Sequence, residues 1–192
     1  YLRLTILALL FFLPFLGAVH LFDWDEINFA ECAREMLVTG EFLRPQIDFE
    51  PFWEKPPLFI WMQAFSMHLF GVGEFAARLP NALCGVLTVL LMYHLGRRLH
   101  DRAFGWLWAL AWLGSLLPHL YFRSGIIDPW FNLLIFAGLY GFIEFRWQFF
   151  SVHRSKGFWP RYKYLLIGGW LLGLAILTKG PVAYLIVFLT LG

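Results

Sequence analysis

Charge is scarce in this sequence: 15% of its 192 residues are Asp, Glu, Lys or Arg, against 60% hydrophobic. A soluble domain of that size needs far more polar side chains to cover its core, so that class is excluded. Cysteine is scarcer still. Cys32 and Cys84 are the only two and make no metal-ligand spacing, which excludes a disulfide scaffold and a zinc module. Both read as small buried packing residues. The six histidines share no ligand spacing either. Walker-type loops, dinucleotide fingerprints and basic nucleic-acid patches are missing, so no nucleic-acid partner is expected. The apolar runs do not alternate, which argues against a β-barrel.

What is present in excess is long apolar runs and aromatics, with 22 Phe and 10 Trp. These suit a lipid-facing exterior with rings at headgroup level. A spanning helix needs about 20 apolar residues. The expected spans are residues 2–21, 79–95, 103–122, 126–145 and 164–178, with a sixth over 181–192 that is truncated. The fold class is therefore an all-α polytopic membrane protein. The chain starts without methionine and stops inside an apolar run, so 1–192 is read as the N-terminal part of a larger transmembrane domain. No small-residue cleavage pattern follows the first run, which reads as a retained span.

Basic side chains orient the spans. Arg97, Arg98 and Arg102, then Arg146, Arg154, Lys156, Arg161 and Lys163, sit in short connections whose one counter-charge is Asp101. With Arg3, they place the N-terminus in the cytoplasm and residues 22–78 outside. That outer loop carries ten carboxylates against four basic residues. Phe29, Ala30, Ala33, Met36 and Leu37 fall at helical spacing, with Glu31, Arg34 and Glu35 elsewhere on the wheel, predicting an amphipathic juxtamembrane helix that Gly40 ends. A proline-bearing irregular stretch follows. A second, nearly all-apolar helix is expected from Pro57 to Phe70, stopped by Gly71.

Three clusters carry candidate chemistry. Asp25 and Glu26, within Asp23-Trp24-Asp25-Glu26, are either a helix cap or a carboxylate held at the lipid–water boundary as a general base. Glu54-Lys55-Pro56-Pro57 offers either a solvated lysine or one paired to a lipid phosphate. Asp128, before Pro129, is either the cap of the next helix or a functional acid at a span's end. Topology puts all three on the outer side. Lys179, in Leu177-Thr178-Lys179-Gly180-Pro181, is an interfacial anchor or a further phosphate contact.

These residues, together with Ala33-Arg34-Glu35-Met36-Leu37, Phe52-Trp53-Glu54-Lys55-Pro56-Pro57-Leu58, Phe70-Gly71 and Ala77-Arg78-Leu79-Pro80, resemble the N-terminal region of GT-C glycosyltransferases. Within that superfamily the chain is similar to the bacterial branch related to protein O-mannosyltransferases and the lipid A aminoarabinose transferase. The resemblance implies a GT-C transmembrane helix bundle and an inverting enzyme. Such an enzyme moves a sugar from a polyprenyl-phosphate donor to a lipid, glycan or protein acceptor on the extracytoplasmic face of a bacterial inner membrane. It implies Asp25, with Glu26, as the first-loop catalytic acid, Asp128 as the second acidic position, and Lys55 as the donor phosphate ligand. Lys179 is similar in order and spacing. Glu54 matches a position that contributes to a bound metal in the lipid A enzyme, where its partner comes from beyond residue 192. No cofactor is thus required, and a divalent metal is left open. Asn28 stands where the lipid A enzyme has a basic residue, so acceptor identity is not carried over. The rival reading is a polytopic transporter or lipid flippase. A transporter more often carries ionisable groups and broken helices at the midplane, and these spans have little charge there.

Overall fold

A computed structural model of the chain describes residues 1–22, 24–150 and 158–191. Asp23 and the connection bearing Arg154 and Lys156 lie outside the described residues, as does Gly192. The order is α1 (Leu2–Phe12), α2 (Trp24–Thr39), β1 (Gln46–Ile47), β2 (Glu50–Pro51), α3 (Leu58–Phe70), α4 (Glu74–Leu99), α5 (Arg102–Leu113), α6 (Leu116–Tyr121), α7 (Asp128–Phe150), α8 (Phe158–Lys179) and α9 (Val182–Leu191). The all-α reading holds. Among the described residues, α4 alone is long and apolar enough to cross a membrane by length and composition, and α1 and α3 are shorter apolar helices.

Several helices differ in extent from the apolar runs. The run over 2–21 is helical only through Phe12, because Pro14 follows and Phe15 takes φ 59. The run over 103–122 divides into α5 and α6 at Gly114 and Ser115. Conversely, α4 starts five residues before its expected span, taking in Ala76, Ala77 and Arg78 as buried residues. Three glycines punctuate the chain as expected of left-handed positions: Gly40 at φ 75 ends α2, Gly71 at φ 86 ends α3, and Gly180 at φ 88 separates α8 from α9.

The chain divides into two compact units. The first comprises Tyr1–Trp53 and Phe59–Pro129. In it α4 packs against α1 and α5. The α4–α5 seam is glycine on glycine: a Cβ on Gly96 would lie 2.8 Å from Gly105 Cα, and one on Gly105 would lie 2.8 Å from the Tyr93 carbonyl oxygen. Phe12 of α1 and Phe122 stack edge to face at 5.4 Å and fill the space that Gly85 leaves open.

Helix α2 buries Phe29, Ala30, Cys32, Ala33 and Met36, as its periodicity requires, but also Glu26 and Glu35. The sequence pattern placed Glu35 off this face. It is buried because its Oε2 accepts the Phe49 N–H at 2.9 Å. Phe49 and Asp48, at φ 61 and 56, form the two-residue turn of the β1–β2 hairpin, which pairs Gln46 with Pro51 and Ile47 with Glu50. Beside Glu35, burial pushes the Cys32 thiol up to about 12, with the Glu35 and Glu31 charges acting the same way.

The second unit comprises Glu54–Leu58 and Trp130–Gly192. Its core joins Phe131, Leu134 and Ile135 of α7 to Ala175 of α8 and Ala183 of α9, with Leu58 packed alongside. Helices α7 and α8 approach at glycines, since a Cβ on Gly141 would lie 3.0 Å from Gly168 Cα.

Candidate active site

Asp25 lies in the first turn of α2 and is exposed. Helix α2 begins at Trp24, so Asp25 lies inside the first turn and is not the cap. Its neighbour Glu26 points the other way, at 2% exposure. The Glu26 carboxylate is held on both oxygens. Arg78 donates from Nε to Oε1 at 2.8 Å and from Nη2 to Oε2 at 3.0 Å. The Phe22 N–H donates to Oε2 at 2.6 Å, and the Gly125 N–H donates to Oε1.

Arg78 is equally committed. Beyond Glu26 it donates to the carbonyls of Leu16 at 3.1 Å, Val19 at 2.6 Å and His20 at 2.8 Å. One guanidinium thus ties the chain leaving α1, the first turn of α2 and the first turns of α4 together. This is the bidentate fork that suits arginine and not lysine.

Asp128 opens α7 and is half-buried. The turn leading to it, residues 124–127, is fastened to the same knot. Gly125 donates to Glu26, while Asn81 Nδ2 donates to the Ser124 carbonyl at 2.6 Å and the Ile126 carbonyl at 2.7 Å. Gly125 packs closely: a Cβ there would lie 3.1 Å from both Gln63 Nε2 and Glu26 Cγ, a tight contact that would push those side chains aside. Gln63 itself is buried and donates to the Ala77 carbonyl at 2.9 Å. The structure therefore joins the Asp25–Glu26 and Asp128 segments through buried and part-buried hydrogen bonds inside one unit.

Lys55, Glu54 and Lys179 belong to the second unit. Glu54 is exposed and Lys55 half-buried, in the bend ahead of α3. Lys179 closes α8, with its Nζ 5.6 Å from the centre of the Phe131 ring. Among the described residues, no group of three His, Cys, Asp or Glu could hold a metal ion.

Two residues that organise the site were not singled out as site residues from sequence: Arg78 and Asn81. The signal was present. Both are polar, and they flank Pro80 at the start of an otherwise apolar helix, where such groups need a reason.

The family model for dolichyl-phosphate-mannose-protein mannosyltransferase matches residues 54–191. The chain is 32% identical over 181 residues to undecaprenyl phosphate-alpha-4-amino-4-deoxy-L-arabinose arabinosyl transferase 2 of Sodalis glossinidius, covering 94% of this chain and 32% of that one. It is 31% identical over 181 residues to undecaprenyl phosphate-alpha-4-amino-4-deoxy-L-arabinose arabinosyl transferase of Edwardsiella ictaluri, with the same coverage of 94% and 32%. The chain therefore spans about a third of the length of these relatives. Among solved structures it resembles ArnT from Cupriavidus metallidurans bound to undecaprenyl phosphate, with TM-score 0.83, 25% identity, and coverage of 97% of this chain and 35% of that one. The apo form of the same protein gives TM-score 0.82 at 26% identity, covering 95% of this chain and 33% of that one. The likeness to the Archaeoglobus fulgidus oligosaccharyltransferase, TM-score 0.56 at 17% identity, shows the fold alone. The fold is thus the GT-C helix bundle of these enzymes, and the protein is an integral membrane protein. With the family model matched over most of its length, the chain belongs to the dolichyl-phosphate-mannose-protein mannosyltransferase family.

Proposed function

We propose that this chain is part of a glycosyltransferase that moves a sugar from a polyprenyl-phosphate donor to a lipid, glycan or protein acceptor. The observation that carries the reading is its similarity, over 97% of its length, to an ArnT structure bound to undecaprenyl phosphate. The site faces outward from the bacterial inner membrane. This is consistent with the basic connections on one side of the spans and the acid-rich loop on the other.

In this reading Asp25 is the base or positioning carboxylate for the acceptor. It is the exposed member of the Asp25–Glu26 pair. The acceptor oxygen or nitrogen attacks the anomeric carbon as the bond from that carbon to the phosphate oxygen breaks. The acceptor's proton passes to Asp25, the configuration inverts, and the polyprenyl phosphate leaves with the bonding pair. Lys55 neutralises the phosphate charge that grows in that step, with Lys179 as a second cation and Asp128 as the second acid. The transporter reading draws no support from these likenesses.

The test is Asp25→Asn in the full-length protein, assayed in membrane vesicles with a panel of labelled polyprenyl-phosphate sugars. Loss of a general base lowers transfer by about 100-fold or more at unchanged protein level. Full transfer by the variant would refute the assignment. Cysteine labelling at position 48 reads the topology, since a cytoplasmic position there reverses the outward-facing site.

A further inference from the structure

We infer that Glu26 and Asn81 are positioning residues that lock the turn carrying Asp128 onto the segment carrying Asp25, setting the two carboxylates in one frame. The inference rests on the reading of Asp25 and Asp128 given above and adds to it how they are held.

Three observations carry it. First, Asn81 is fully buried, and its amide nitrogen serves two carbonyls of the 124–126 turn, those of Ser124 and Ile126, at 2.6 and 2.7 Å. A residue used only for packing would be apolar here, since a buried polar group costs about 1–3 kcal/mol unless its hydrogen bonds are made. Second, Glu26 reaches the middle of the same turn at the Gly125 N–H, and its own place is set by Arg78. The turn is therefore gripped at three successive residues from two elements. Third, each grip is adjacent to a proposed functional acid: Glu26 follows Asp25 directly, and Ile126 lies two residues before Asp128. Neither Glu26 nor Asn81 is exposed, so neither acts on a substrate. Turns between helices are ordinarily the mobile parts of a bundle. A misplacement of about 1 Å in a catalytic group costs on the order of 100-fold in rate. Fixing this turn through buried polar bonds is what a paired-carboxylate site needs.

The experiment uses the full-length protein in nanodiscs, comparing wild type with Asn81→Leu, which has asparagine's branched heavy-atom skeleton but donates no hydrogen bond. Hydrogen exchange at Gly125, whose N–H Glu26 still accepts, is expected to speed up at least about 10-fold as the turn loosens at the Ser124 and Ile126 carbonyls on either side. Transfer is expected to show kcat reduced by about 10- to 100-fold with the donor KM changed less than about twofold. In an Asp128→Asn background, the same substitution is expected to lower kcat by less than about threefold, because the group it positions is already disabled. If Asn81→Leu does not assemble, Glu26→Gln carries the same readouts. Unchanged exchange at Gly125, faster exchange with unchanged kcat, or an equal loss in both backgrounds each overturns the positioning role. If Asp25→Asn and Asp128→Asn both transfer at the wild-type rate, the functional reading itself has failed, and the positioning role falls with it. That outcome is distinguished because it needs no variant at Asn81 or Glu26.

Discussion

Replacing Arg78 by glutamine tests how much of the first unit hangs on one guanidinium. Its side chain is 3% exposed and that of its partner Glu26 2%, so water cannot substitute for either. Removing one member of a buried ion pair leaves an uncompensated charge, which costs about 3–5 kcal/mol. Arg78 also serves three carbonyls. Val19 and His20 are exposed, and their carbonyls can turn to water, whereas Leu16 is buried and loses about 1 kcal/mol more. Arg78→Gln should therefore destabilise by about 4–6 kcal/mol, a large share of the ~5–15 kcal/mol that holds a typical protein folded. Arg78→Lys keeps the charge and loses the fork, so it should fall between wild type and Arg78→Gln. Pairing Arg78→Gln with Glu26→Gln removes both charges together, and the double variant should recover about 2–4 kcal/mol relative to the sum of the singles. The assay is equilibrium unfolding of the full chain in detergent micelles, run as a double-mutant cycle. A cost under about 1 kcal/mol for Arg78→Gln, or strictly additive singles, would refute this account.

The α4–α5 seam predicts that Gly105→Ala destabilises by about 1–3 kcal/mol, because its Cβ meets the Tyr93 carbonyl oxygen at 2.8 Å and the Arg97 amide at 2.9 Å, backbone atoms that cannot swing aside. Gly169→Ala is the control: nothing lies within 4 Å, so the unfolding midpoint should hold or rise with the gain in helix propensity. For Cys32, the folded thiol is raised to about 12 from an ordinary 9.0, so the folded state keeps a proton that the unfolded chain releases. Its contribution is complete below pH 9 and lost as pH rises toward 12, and Cys32→Ala should flatten that alkaline decline in unfolding measurements. Persistence of the full slope in the variant would assign it to other groups.

Much of the architecture was legible along the chain because it is written in local chemistry. The helix before Gly40 and the helix from about Pro57 to Phe70 came from periodicity, a glycine stop and a proline start, and α2 and α3 occupy those places. Helix extents were read less well. An apolar run does not reveal that Pro14 and Phe15 end α1 early, nor that Gly114 and Ser115 divide the next run. The hairpin at 46–51 was read as irregular, since its four strand residues are too few to alternate, and its turn is secured by Glu35 from another element.

Taken alone, the sequence determined membrane residence and helix class, because scarce charge and long apolar runs leave the bilayer as the only fitting solvent. Only the tertiary structure decided which of two adjacent acids is exposed. Asp25 and Glu26 are one residue apart, yet one is exposed and the other is buried against Arg78, a partner 52 positions away in sequence. No local pattern encodes that division. It depends on where the chain after α1, the start of α4 and the turn before α7 meet, and burial with a specific partner is a property of that meeting.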